Sequence, residues 1–127
     1  MPKQPKILLV DDEPYWLEIL SDILTRWGFR VKTASSASAA LSVLLEEEFQ
    51  LVITDFEMPW MNGLELTRRL KNLAAATPVI LMSGDETVIN SRDVRQMGPD
   101  AYVNKSIDPD EIRKCIDDVL HKPLSRC

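Results

Sequence analysis

The sequence predicts an α/β domain: a doubly wound, five-stranded parallel sheet with helices on both faces. Three observations predict it. Short strand-like runs alternate five times with segments of helical periodicity, and parallel strands need crossover connections of that kind. Ile7-Leu8-Leu9-Val10 is continuously apolar, as a strand covered on both faces is. The chain has 127 residues, which suits one domain rather than several.

After the first strand, Pro14 stands at a first helical position. Trp16, Leu20, Ile23 and Trp27 recur at helical spacing, with Leu17 and Leu24 beside them, so one wide apolar face is expected, closed by Gly28 as a left-handed cap. Arg30 to Ala34 reads as the second strand. Ser36 or Ser38 caps a helix through Glu48 with Ala40, Leu41, Leu44 and Leu45 inward. Leu51 to Thr54 is the third strand. A loop with Pro59, Asn62 and Gly63 leads into a helix carrying Leu64, Leu70 and Leu73. Pro78 to Ser83 is the fourth strand, Gly84 breaks it, and a weaker helix is expected from about Thr87 to Met97. Ala101 to Val103 is the fifth strand. Asp108-Pro109-Asp110-Glu111 is a strong helix start, with an N-cap Asp, Pro at the first position and Glu three residues after the cap. Ile112, Ile116, Val119 and Leu120 give that helix its buried face, and the tail to Cys127 is expected to fray. The whole, 1–127 with a core over about 6–121, reads as one domain, with 2-1-3-4-5 (flavodoxin-like) the natural strand order.

Composition narrows the function. Fifteen basic against twenty acidic residues leave a net charge of −5, a poor basis for holding nucleic acid or an anionic membrane. With 45% hydrophobic and 28% charged residues, the chain is globular rather than disordered. No apolar run approaches the roughly 20 residues that span a bilayer. No leader is read at the N-terminus, so a cytoplasmic location is expected. Cys115 and Cys127 read as free thiols and His121 as a surface histidine.

The informative residues stand at the strand ends. Asp11-Asp12-Glu13 comes after the first strand and Asp55 after the third, Ser83 ends the fourth, and Lys105 lies just past the fifth. Taken singly, an acid after a strand is as readily a helix cap, a serine a turn residue and a lysine a solvated charge. Together they stand at the carboxyl edge of an open sheet, where ligands bind. Strands one and three are neighbours about 4.8 Å apart in the expected order, which brings Asp55 near Asp11 or Asp12. Two unit charges 4 Å apart repel by roughly 4 kcal/mol at an effective dielectric of 20, so a proton or a cation must join them. A hard divalent cation suits carboxylate oxygens. A lysine and a hydroxyl aimed at the same spot suit a phosphoryl group, with a carboxylate as acceptor.

The acidic pair Asp11-Asp12, the segment Asp55-Phe56-Glu57-Met58-Pro59 with Asn62-Gly63, the pair Ser83-Gly84 and the run Tyr102-Val103-Asn104-Lys105 resemble the receiver domain of two-component response regulators over essentially the whole chain. The resemblance implies that Asp55 is the phosphoacceptor, taking its phosphoryl group from a sensor histidine kinase or His-phosphotransfer protein. It implies Mg²⁺ (or Mn²⁺) bound by Asp12 and Asp55, with Asp11 holding metal-bound water and the Glu57 backbone carbonyl supplying another oxygen. Lys105 would pair with Asp55 and then with its phosphoryl oxygen, Ser83 would donate to another, and Tyr102 would be the aromatic switch. Such a domain is its own substrate rather than a turnover enzyme, and phosphorylation shifts its population between two states. Its partner face, and the face of any dimer, would combine the helix near 87–97, the fifth strand and the last helix. No output domain is read within these residues, so the target is a separate protein or a domain outside them.

Three departures qualify the resemblance. Ser106 replaces the proline that family members carry after the lysine in a cis bond; a non-proline cis bond costs about 2.5–4 kcal/mol, so a trans bond with a rearranged loop or a strained cis bond is expected. Glu57 and Asp85 add acid at the pocket mouth, where Glu57 is expected either to reach the metal and discourage anionic phosphodonors or to face solvent. Met58-Pro59-Trp60-Met61 is an apolar loop, and Trp60 is either a partner anchor or packed over the next helix. Two other functions compete. One is a phosphorylation-independent interaction module, suggested by Ser106. The other is a small phosphatase with Asp11 as nucleophile and Glu13 as acid, disfavoured because phosphatases of that fold usually need a longer chain and a cap.

Overall fold

The computed structural model describes residues 4–58, 61–84, 98–105 and 108–121. Strands β1 (Lys6–Val10), β2 (Arg30–Ala34), β3 (Leu51–Asp55), β4 (Val79–Ser83) and β5 (Ala101–Asn104) form one parallel sheet in the order β2-β1-β3-β4-β5. Four helices are described: α1 (Pro14–Arg26), α2 (Ala37–Glu46), α3 (Gly63–Leu73) and α4 (Pro109–His121). This is the doubly wound, flavodoxin-like arrangement that the alternating pattern predicts. The helix expected near 87–97 lies outside the described residues. No helix among them is long and apolar enough to cross a membrane.

The period-two geometry of a strand sorts β1 into two cores. Ile7 and Leu9 pack with Leu17, Leu20 and Leu24 of α1 and with Ile112, Ile116 and Val119 of α4. Leu8 and Val10 pack on the other side with Ala37 and Ala40 of α2 and Leu66 and Leu70 of α3. Each fully buried aliphatic side chain contributes roughly 1.5–3 kcal/mol, so both layers hold the central strands.

Helix ends obey their local chemistry. Pro14 opens α1. Gly28 closes it at φ +97°, with its N–H donating to Thr25 O (3.0 Å) and that of Phe29 to Leu24 O (3.1 Å). Ser36, not Ser38, caps α2 by accepting from Ala39 N at 3.0 Å, and Asn62 caps α3 by accepting from Glu65 N at 2.9 Å. Asp108 accepts from Asp110 N at 2.9 Å at the start of α4.

Several inward assignments need correction. Leu45 is 72% exposed and Leu73 52% exposed. The buried stripe of α2 starts from Ala37 and Ala40, which turns Leu45 away. In α3 the stripe is Gly63, Leu66, Thr67 and Leu70, so Leu64 sits at its edge. The α1 stripe centres on Leu17, Leu20 and Leu24, with Trp16 and Trp27 flanking it and Ile23 half-buried. Cys115 is buried in α4, where Leu120 is only half-buried.

The amino edge of the sheet is tied by polar contacts. Just past α2, Glu47 accepts from both Lys6 of β1 and Lys32 of β2, and these bonds, that to Lys32 first, hold its carboxyl below the usual range. Lys71 Nζ donates to Thr77 O (2.7 Å) and Asp100 Oδ2 (2.9 Å), and that same oxygen accepts from Val79 N (2.8 Å).

Candidate functional site

The carboxyl edge gathers acidic side chains around Lys105. Here backbone pairing runs one residue beyond the strands: Asp11 N donates to Ala34 O (3.1 Å), Phe56 N to Met82 O (2.7 Å) and Lys105 N to Ser83 O (2.9 Å). Asp11, Asp55, Ser83 and Lys105 therefore stand on a rigid hydrogen-bonded frame. The α3 start closes tightly onto it. Gly63 N donates to Phe56 O at 2.9 Å, and a Cβ on Gly63 would lie 2.3 Å from Asp55 O and 2.8 Å from Leu81 Cδ1.

The structure brings the three aspartates together. One carboxylate oxygen from each of Asp11, Asp12 and Asp55 lies within 4.8 Å of the other two. Asp11 is 0% and Asp55 2% exposed, whereas Asp12 is half-buried. Asp11 Oδ1 accepts from Glu13 N at 3.0 Å, which turns the loop into α1. Asp55 Oδ1 is buried without a hydrogen-bond partner. A buried carboxylate oxygen with no partner, beside two other carboxylates, is a donor set that fits a hard divalent cation.

Lys105 reaches into the cluster. Its Nζ lies 2.8 Å from Asp11 Oδ2, 2.8 Å from Glu13 Oε1 and 3.4 Å from Asp55 Oδ2. The ammonium also stands 5.5 Å from the centroid of the Trp16 ring. Burial, and then the nearby Asp11 charge, push Asp55 up from 3.8 to about 6 against the pull of Lys105. Burial likewise raises Asp11. Burial works against the Lys105 charge, but its bonds to Asp11 and Glu13 and the charge of Asp55 outweigh that, and its pKa rises.

Ser83 is buried at the end of β4, and its Oγ donates to Glu57 Oε1 at 3.0 Å. Glu57 is exposed, and this bond turns its side chain toward β4. Tyr102 is half-buried in β5, in register with Leu81. Met58 is buried and Met61 half-buried; Pro59 and Trp60 between them lie outside the described residues, as do Asp85 and Ser106. The geometry of the Lys105–Ser106 bond, and the interaction-module reading that Ser106 suggests, are therefore not addressed by the described residues.

Two contacts escape sequence reasoning. The sequence offers Glu13 a role only as an acid in the phosphatase reading, yet it pairs with Lys105. Helical spacing assigns Trp16 to the core stripe of α1, yet its ring lies beside the same ammonium. The only signal for either is closeness to Asp11 and Asp12 in the chain.

Comparison with known proteins agrees with this geometry. The family model described as response regulator receiver domain matches residues 7–117. The transcriptional regulatory protein GlrR of Escherichia coli is 33% identical over 120 residues, which is 94% of this chain and 27% of that protein. The sensor histidine kinase RcsC of Escherichia coli is 32% identical over 110 residues, 87% of this chain and 12% of that protein. The chain thus spans about a quarter or less of these two relatives. Among solved structures, a CheY-like receiver domain protein from Methanospirillum hungatei superposes with a TM-score of 0.87 at 29% identity, covering 94% of this chain and 95% of that one. The response regulator TrrA from Thermotoga maritima, solved in complex with Mg²⁺-BeF, gives 0.85 at 30% identity, covering 92% of this chain and all of that one. The acidic carboxyl edge of this parallel sheet is accordingly that of a receiver, and the chain belongs to the response regulator receiver domain family of two-component signalling.

Proposed function

We propose that the domain accepts a phosphoryl group on Asp55 from a phosphohistidine of a sensor histidine kinase or His-phosphotransfer protein, in the cytoplasm, and that this switches a partner-binding face. The observation that carries the reading is the Asp55 carboxylate: buried, with Oδ1 unpartnered, flanked by two more aspartates and faced by Lys105. An Asp55 oxygen attacks the phosphorus as the P–N bond breaks, and the leaving imidazole nitrogen keeps the electron pair and takes a proton. In the later hydrolysis, water attacks the same phosphorus and gives up a proton, the P–O bond to Asp55 breaks with the electron pair staying on the carboxylate, and inorganic phosphate leaves. Only the ionised carboxylate is a nucleophile; with a pKa of about 6 it is mostly ionised at neutral pH.

Asp12 and Asp55, with Asp11 through water and the Glu57 carbonyl, would hold Mg²⁺ (or Mn²⁺), which supplies positive charge against the incoming phosphoryl oxygens. Lys105 pairs with one phosphoryl oxygen and Ser83 donates to another. The phosphoryl group carries about −1.5 to −2 charges in place of the single charge of the carboxylate that it esterifies, so these donors face up to about one more negative charge than before. Movement of Ser83 toward the phosphate would be felt by Tyr102 on the neighbouring strand, and through it by the face around β5 and α4, the face that would also carry a dimer. The downstream target is a separate protein or an output domain outside these residues. The domain acts as its own substrate, not as a turnover enzyme.

Incubation with phosphoramidate and Mg²⁺, followed by intact-mass measurement, tests this. The expected result is a gain of one phosphoryl group that Asp55→Asn abolishes. No gain, or a gain that survives Asp55→Asn, overturns the reading.

A further inference from the structure

The donors assigned to the phosphoryl group are already engaged elsewhere. Lys105 Nζ is as close to Glu13 Oε1 as to Asp11 Oδ2, at 2.8 Å, and further from Asp55 Oδ2, at 3.4 Å. Ser83 Oγ gives its hydrogen bond to Glu57 Oε1 at 3.0 Å. Lys105 Nζ gives one of its three protons to Glu13 Oε1 while also standing within ion-pair distance of Asp11 and Asp55, so Glu13 competes for a donor that a phosphoryl oxygen would need. A hydroxyl has a single proton, so Ser83 cannot serve Glu57 and a phosphoryl oxygen together.

We infer that Glu13 and Glu57 are positioning residues that hold Lys105 and Ser83 in the resting protein, so that a phosphoryl group on Asp55 captures these donors only by displacing two carboxylates. The inference rests on the assignment of Asp55 as phosphoacceptor. Position supports it: the Glu13 side chain is 64% exposed and Glu57 is exposed too, so each carboxylate can swing into water once displaced. Charge supports it as well. Both groups carry the sign of the incoming phosphoryl group, so they compete with it for its donors and repel it. With the glutamate of each contact in water, both contacts are weak. Each shifts the equilibrium by about 1.4- to 5-fold, which tunes a switch without locking it.

The test uses the intact chain with Mg²⁺ and beryllium fluoride as the phosphoryl mimic, titrated at low and high salt. Glu13→Gln and Glu57→Gln keep size and hydrogen-bond acceptance but remove the charge. Each is expected to tighten binding by about 1.4- to 5-fold, with the double variant near the product and the gain shrinking at high salt. A purely structural role for either glutamate would loosen binding and leave no salt-dependent gain. Unchanged or weakened binding in both variants, with the wild type binding normally and phosphorylated at Asp55, overturns this inference and leaves the phosphoacceptor reading intact. A wild type that neither binds the mimic nor takes phosphate at Asp55 overturns both.

Discussion

Replacing Asp55 by Asn should make the protein more stable at neutral pH, although it removes the residue on which the proposed function rests. The carboxylate is 2% exposed and stands beside Asp11, and folding raises its pKa from 3.8 to about 6. Above pH 6 the group is ionised in both states, and the folded state carries the full penalty. At about 1.4 kcal/mol per pKa unit, a rise of about two units amounts to roughly 3 kcal/mol. Proton uptake sets the sign. Between pH 3.8 and 6 the folded chain holds a proton that the unfolded chain lacks, so this group's penalty shrinks as pH falls through 6 and is gone below 3.8. Asn does not titrate. Urea unfolding without divalent ions should therefore show the variant ahead by about 2–3 kcal/mol at neutral pH, with the gap closing toward pH 4. A variant less stable than wild type at neutral pH, or a gap that does not change with pH, would refute the reasoning.

Added Mg²⁺ should stabilise the wild type by about 2.7 kcal/mol at a hundredfold excess over its dissociation constant, and much less after Asp12→Asn; calorimetric melting with and without the ion reads this. Gly63→Ala should destabilise by about 1–3 kcal/mol and weaken Mg²⁺ binding, because its Cβ would lie 2.3 Å from the Asp55 carbonyl; an unfolding midpoint within error of wild type would count against the packing described. Lys105→Met should destabilise by about 2 kcal/mol or more at neutral pH, since Asp11 and Asp55 lose their counter-charge. That loss should fade on acidification as the two carboxyls take up protons, which pH-dependent unfolding will report.

The sheet was legible because parallel strands leave an unusual trace: continuous apolar runs such as Ile7 to Val10, separated by helical stripes, admit few topologies. Asp55 and Lys105 were legible for a related reason, since strand ends in such a sheet project to one edge. What escaped were directions that depend on neighbours remote in the chain. The bond between Glu57 and Ser83 joins residues 26 positions apart, and that between Glu13 and Lys105 joins residues 92 apart. A long carboxylate side chain at the surface turns to whichever donor the fold places nearest, and sequence spacing does not record it. Leu45 escaped through helical phase: at about 100° per residue, five positions past buried Ala40 carry it well out of the stripe. Leu73 is the last residue of α3, past Leu70, the last buried position of that helix. The identity of the apolar residues was informative, but which of them met the sheet depended on where each helix docked.

The double clasp on Glu47 gives the molecule a polarity in its response to protons. Its carboxyl is held below the ordinary range, so the grip on Lys6 and Lys32 is complete above that range and slackens as pH falls through the lowered value. Asp55, at the far end of the strands, answers in the reverse sense, because acid relieves its crowding. Acidification therefore tightens one rim of the sheet while, further down the scale, it unfastens the other, and amide exchange along β1 would register a gradient of rigidity that tilts with pH alone.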